Sequence, residues 1–388
     1  MLISMIGPGS RLYVEPSAPA APPAWASAMT INTWGSIASV GTVNAVRPAG
    51  VDDANMHIMA AWGGGAIDIV NQQLWVTGGG HGDGNYNDLF RLPLNVTTPA
   101  WIRDTLTSSN TPAATHSGGT FIYCPSTDEI WRMMEYGVSS SGANSRDIYK
   151  HSSRAWSSLI GSYPSAFTTQ TSGTTYTEGG SCYDPVTGLL WGFTKYGQAY
   201  TIDPAVGSAS ITARTTTTGA STDFFNPVFG EHFSIAIWPE ARVIIAARPQ
   251  SNELQLLSIT SPATGWRQCS PTTKPTNLVD FPGAFWRGRN KRLYVWGQTS
   301  NRTEYYTLTP PTSTPSSITD LIGAWTWATI TIDGSNSVTP SNPALSGSGR
   351  ICYGRWNYIE DLGGSGSGCD MALLVNDEDE PTYTLRLA

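Results

Sequence analysis

Charge is scarce in this chain. Its 388 residues include only 22 lysines and arginines against 29 aspartates and glutamates, for a net charge of −7. No basic run occurs. Phosphate backbones need clustered cations, so the sequence argues against a nucleic-acid partner. No apolar run approaches the length of a membrane span. The five cysteines (Cys124, Cys182, Cys269, Cys352 and Cys369) are odd in number and share no C-x-x-C spacing. They read as free buried thiols, which suits synthesis in a reducing cytoplasm. The first residues, Met1 to Ile6, carry no Lys or Arg ahead of their short apolar segment, which breaks at Gly7-Pro8-Gly9. That is not the pattern of a secretory leader. A G-x-S-x-G elbow in a strand–helix setting, a P-loop and a dinucleotide fingerprint are all missing. The run Gly363 to Gly368 reads as a flexible loop.

What the chain has in quantity is glycine (40), proline (26), tryptophan (15) and tyrosine (16), spread over its whole length. This is an all-β composition punctuated by turns. The stretch from Leu74 to Trp101 sets the pattern. An apolar run ends in three glycines, an irregular polar loop follows, and Asp88-Leu89-Phe90-Arg91-Leu92 alternates with period 2 before a Thr/Pro turn and a tryptophan. Trp101 to Trp156 and Trp266 to Trp325 are each roughly 55 to 60 residues apart, and Trp156 to Trp266 about twice that, with Ile211 midway. Six apolar strands recur: Leu74-Trp75-Val76, Ile130 to Met133, Leu189 to Trp191, Val243 to Ile245, Leu293 to Trp296 and Met371 to Val375. Before these strands come tight turns such as Pro125 to Glu129, Asp184 to Gly188 and Pro239 to Ala241. Before the turns come strands of small residues, such as Gly118-Gly119-Thr120-Phe121, suited to a crowded central axis.

Units of about four strands at this period stack radially, because a lone four-stranded sheet cannot cover both faces. The spacing therefore predicts a six-bladed β-propeller over residues 25–388, preceded by a Pro/Ala-rich arm at residues 1–24. The last unit ends at its third strand, Pro381 to Leu387, while the chain opens with an orphan fourth strand, Ala28 to Trp34. The N-terminal strand is expected to complete the last blade and close the ring.

The glycine-ended second strands, clear at Gly78-Gly79-Gly80 and reduced at Tyr136-Gly137, Tyr196-Gly197 and Trp296-Gly297, resemble kelch-type propellers, including that of galactose oxidase. The stretch from Gly79-Gly80-His81 to Asn87-Asp88-Leu89 and the closing Gly349-Arg350-Ile351 are similar to propellers of unassigned role in bacterial and phage sequences. The resemblance covers residues 28–388 and specifies architecture, and fold does not fix function. The copper ligands of galactose oxidase have no counterpart here, nor do the turns of sialidases.

Polar residues stand where the inner strands begin: His57, His116, Glu178, Glu231 with His232, Asp280 and Arg350. A ring of histidines and carboxylates at a channel mouth suits acid–base work on a sugar or a divalent cation. Asp83, Asn85 and Asn87 alternate like the start of a calcium loop, although the later glycine and the bidentate glutamate are missing. His81, Tyr136, Tyr149 and Arg350, with loops rich in Ser, Thr, Gly, Asn and aromatics, suit glycan or protein contacts.

Two functions fit these features. The first is a non-enzymatic binding or structural module, a phage tail or receptor-binding component. Such a module would bind other structural proteins through residues 1–24, meet a cell-surface glycan or protein, need no cofactor, and act in the virion or outside the cell after cytoplasmic synthesis. The alternative is a carbohydrate-active hydrolase or lyase using His57, His116, Glu178 and His232 at the channel mouth.

Overall fold

The computed structural model describes residues 21–37, 41–46, 63–77, 88–105, 118–133, 147–152, 154–157, 160–162, 180–194, 197–215, 234–248, 252–298, 303–333, 336, 338–341, 345–346, 349–350, 353–377 and 379–388. They form a six-bladed β-propeller with almost no helix.

Each blade is an antiparallel sheet whose strands follow chain order outward from the axis. Blade 1 holds Gly64–Asp68, Gln73–Thr77, Leu89–Pro93 and Ile102–Arg103. Blade 2 holds Phe121–Cys124, Glu129–Arg132 and Asp147–Ser152, with Ala155–Trp156 and Gly161–Ser162 pairing to its third strand. Blade 3 runs from Gly180–Asp184 through Leu189–Phe193 and Ala199–Ile202 to Thr212–Thr215. Blade 4 runs from Ser234–Trp238 through Val243–Arg248 and Glu253–Ser258 to Arg267–Gln268. Blade 5 contains Leu278–Arg287, Arg292–Gln298, Glu304–Thr309 and Ala324–Thr331, and Ser270–Pro271 joins its outer edge in parallel. Blade 6 contains Trp356–Ile359, Asp370–Leu374 and Tyr383–Leu387.

The fourth strand of blade 6 comes from the other end of the chain. Trp34–Ser36 pairs with Tyr383–Leu387, Trp34 opposite Leu385 and Ser36 opposite Tyr383. The ring is closed as the sequence implied, but the closing strand starts at Trp34 rather than Ala28. Pro23 precedes a single helical turn, Ala24–Ser27, and Asn32 takes a left-handed conformation (φ 59°). These turns consume the residues read as strand. The segment instead docks sideways: Trp25 Nε1 donates to the Leu94 carbonyl, and Arg386 donates to the carbonyls of Ser27 and Met29.

The core is not one body. Among the described residues, buried apolar side chains fall into six clusters, and each cluster spans two neighbouring blades. Leu74, Val76 and Phe90 of blade 1 meet Met371 and Leu373 of blade 6. Trp131 and Met133 of blade 2 meet Leu190 and Tyr200 of blade 3. Each blade thus covers the face its neighbour cannot cover alone, which is why the number of blades must close exposed faces as well as edges. The tryptophans that mark the repeat stand at or beside the outer strands: Trp34 opens one, and Trp101 and Trp266 immediately precede others. All three are nearly inaccessible to solvent.

The turns between first and second strands share one device. In five blades the last turn residue is left-handed: Gln72, Asp128, Gly188, Arg242 and Lys291, with φ between 53° and 74°. Glycine would be the unstrained choice. Only Gly188 is one. Three of the other four reach back to the preceding blade. Gln72 accepts from the Gly363 N–H of blade 6, Asp128 accepts from Asn71 of blade 1, and Arg242 makes a two-pronged pair with Asp184 of blade 3 at 2.7 and 2.8 Å. Burial alone pushes the Asp184 carboxyl up, but Arg242, Thr187 and the Val186 N–H together hold it below the usual carboxylate range.

Candidate functional site

The inner strands line a central channel. Where two of them touch, at Gly119 and Gly180, the bridge is parallel. Each strand therefore begins at one face of the disc, the loop face, and ends at the other, the turn face. The turn face carries the short turns just described. The long segments that connect blades and follow the second strands leave from the loop face.

At the loop-face end the channel is pinched by glycines of three blades. A Cβ on Gly65 would stand 2.6 Å from the Gly354 carbonyl oxygen, and one on Gly354 would stand 2.6 Å from that of Gly118. No side chain fits between these backbones, so the close approach requires glycine. Asn357 reinforces the pinch by donating to the Gly354 carbonyl.

His57, His81, Asp83, Asn85, Asn87, His116, Tyr136, Glu178 and His232 lie outside the described residues. The strand segment Gly349–Arg350 pairs with Leu345–Ser346, which puts Arg350 in a short hairpin. Tyr149 sits in the third strand of blade 2 and is buried, with the Arg132 guanidinium 5.1 Å from its ring centre. Asp280 lies in the inner strand of blade 5. Among the described residues, no group of three His, Cys, Asp or Glu could hold a metal ion. Nor, among the described residues, is any helix long and apolar enough to cross a membrane.

One polar cluster escaped the sequence reading. At the seam of blades 1 and 2, His151 is buried between Trp75 and Trp156. Its Nε2 faces the Thr105 hydroxyl at 3.4 Å, and its Nδ1 lies 3.9 Å from Asp104. Arg91 pairs with Asp104 at 2.7 Å, and the exposed Arg154 approaches it at 4.0 Å. Only the position of His151 in an alternating strand hinted at it.

Burial lowers the His151 pKa to about 4 against the opposing pull of Asp104. The unfolded chain takes up this proton near pH 6.5 and the folded one only near 4. Stability is therefore complete above about pH 6.5 and falls as the pH drops toward about 4, by up to about 3 kcal/mol. A His151→Gln variant is expected to flatten this part of the pH–stability curve, which melting temperatures taken from pH 7.5 to 4 would read. An unchanged slope would show that the linkage lies elsewhere.

No family model matches the chain, and no curated protein matches it. Solved structures do. A Bacteroides thetaiotaomicron protein of unknown function superposes with a TM-score of 0.50 at 10% identity, over 91% of this chain and 75% of that one. A gluconolactonase from Xanthomonas campestris gives 0.48 at 11%, over 97% and 99%. Virginiamycin B lyase from Staphylococcus aureus gives 0.42 at 12%, over 85% and 97%. At these identities the likeness concerns the fold alone, and it does not single out the kelch type.

Proposed function

We propose that the protein is a carbohydrate-active hydrolase or lyase whose site lies on the loop face, at the rim of the central channel. The observation that supports this reading is the contact between the starts of three inner strands. Gly119 bridges Gly180, and Gly180 backs so closely on Ile235 that a Cβ would meet its side chain at 2.2 Å. His116, Glu178 and His232 stand just upstream of these three strands. Two residues of chain span at most about 7 Å, so covalent reach alone keeps Glu178 near Gly180 and His232 near Ser234.

A carboxyl and two histidines upstream of three neighbouring inner strands supply the residue types for general acid–base cleavage. In this reading Glu178 moves the proton at the scissile bond. His232 and His116 exchange the second proton or orient the sugar, and His57 enters from blade 1. Chemistry of this kind needs no cofactor.

The test is turnover of a panel of neutral and uronate-containing oligosaccharides and sugar lactones. Glu178→Gln and His232→Asn are each expected to lower kcat/KM on the responding substrate by about 10²–10⁴, the usual contribution of a positioned proton donor or acceptor, without moving the melting temperature. Glycan binding without product would instead mark a binding module. Turnover indifferent to both substitutions would remove the site from the rim.

A further inference from the structure

The channel has a chemistry of its own. It holds a cavity of ≈ 300 Å³ that runs from Gly65, Gly118 and Gly354 to Ile69 and Pro125 in the turns of blades 1 and 2. It therefore spans the channel from the loop-face glycines to the turn face. Among the described lining residues, none is Asp, Glu, Lys, Arg or His. Its walls carry Ile67, Ile122, Tyr183, Ile235, Ile237 and Phe285, all only half-buried. These six side chains come from five blades. Side chains of this size are normally packed away, and a set of them facing one unfilled space marks a binding cavity rather than a core.

The shape of one wall narrows the occupant. Phe285 stacks on Tyr294 and Tyr358, with ring centres 5.4 and 5.1 Å away and planes tilted by only 7° and 10°. Tyr183, Trp286 and Trp356 line the same cavity. Aromatic side chains at a cavity wall favour stacked or edge-to-face contact with another aromatic system. Tyr358 is fixed in turn by its hydrogen bond to Asp370, and Tyr294 by Arg287, so the wall is held in place before anything binds. A charge would meet no counter-ion among the described lining residues and would enter at high desolvation cost.

We infer that the channel is a binding site for one small uncharged aromatic molecule of about two fused or linked rings. The inference is independent of the rim chemistry.

The test uses the full chain and the uncharged dye N-phenyl-1-naphthylamine, followed by its blue-shifted emission and by energy transfer from Trp286 and Trp356, which line the cavity. One dye per chain is expected, displaced by indole but not by 1-naphthalenesulfonate at equal concentration. Ile67→Asn and Ile237→Asn should each weaken binding at least 10-fold, whereas Val186→Ser, on an exposed turn outside the cavity, and Glu178→Gln should leave it unchanged. No saturable binding by the unmodified protein, equal competition by the sulfonate, or equal loss in Val186→Ser would each overturn the proposal. The competition arm needs no variant, so the inference stays testable even if the asparagine substitutions fail to fold.

Discussion

Replacing Arg287 with methionine is expected to destabilise the protein by roughly 3–5 kcal/mol, the usual cost of stranding one member of a buried ion pair. Arg287 lies at the end of the inner strand of blade 5 and Asp370 opens the second strand of blade 6. Both are essentially inaccessible, and the guanidinium meets one carboxylate oxygen at 2.6 and 3.1 Å. The rest of the network is complete. Arg287 also donates to the Tyr294 hydroxyl, and Asp370 accepts from the Tyr358 hydroxyl and the Asp361 N–H. Without the guanidinium, Asp370 keeps only these donors and the half-exposed Arg289 at 3.5 Å. Adding Asp370→Asn to Arg287→Met should recover part of the loss, because it removes the stranded charge. Chemical denaturation of the two variants reads both numbers. A cost under about 1 kcal/mol for the single variant would mean that the seam of blades 5 and 6 rests on its aromatics alone.

Trp34 is the second position with a large expected effect. It begins the strand that closes the ring, opposite Leu385, and its ring packs against Trp296 of blade 5 at 6.2 Å and Trp356 of blade 6 at 5.8 Å between centres. Trp34→Ala is expected to cost about 3–5 kcal/mol through the cavity it leaves. Deleting residues 1–36 should do more. It strips the partner from Tyr383–Leu387 and leaves a bare apolar strand edge, which pairs readily with other chains. The deleted protein is expected in the insoluble fraction, while Trp34→Ala stays soluble with a lowered melting temperature. A soluble, monomeric deletion with an unchanged melting temperature would show that the ring holds without its clasp.

Much of the architecture was legible because it is written locally and repeated. The period of the tryptophans counts the blades. The turn residues mark the first hairpins, and the small residues at Gly118-Gly119 announce an inner strand pressed against its neighbours. The unmatched last blade predicts a clasp. The misplaced start of that clasp shows the limit. Ala28 to Thr33 has a strand's pattern, but Trp25 and Met29 pack on the seam between blades 6 and 1, and that packing bends the chain into turns. Propensity yielded to a tertiary contact.

The candidate sites divide in the same way. The candidates His57, His116, Glu178 and His232 rest on sequence position, several of them at a similar offset to the second strands, which is a one-dimensional signal, and they lie outside the described residues. His151 and the Arg287–Asp370 pair gave no such signal, because their partners come from other blades: Thr105 and Asp104 from blade 1, and Asp370 from blade 6. Sequence by itself determined the strand type, the repeat number and the closure, since each depends on residues within one hairpin or on simple counting. Only the tertiary structure decided that three glycines from three blades come into backbone contact, and that apolar side chains from five blades line one cavity. Those features arise where strands distant in the chain converge on one axis, and no local pattern records how close they come.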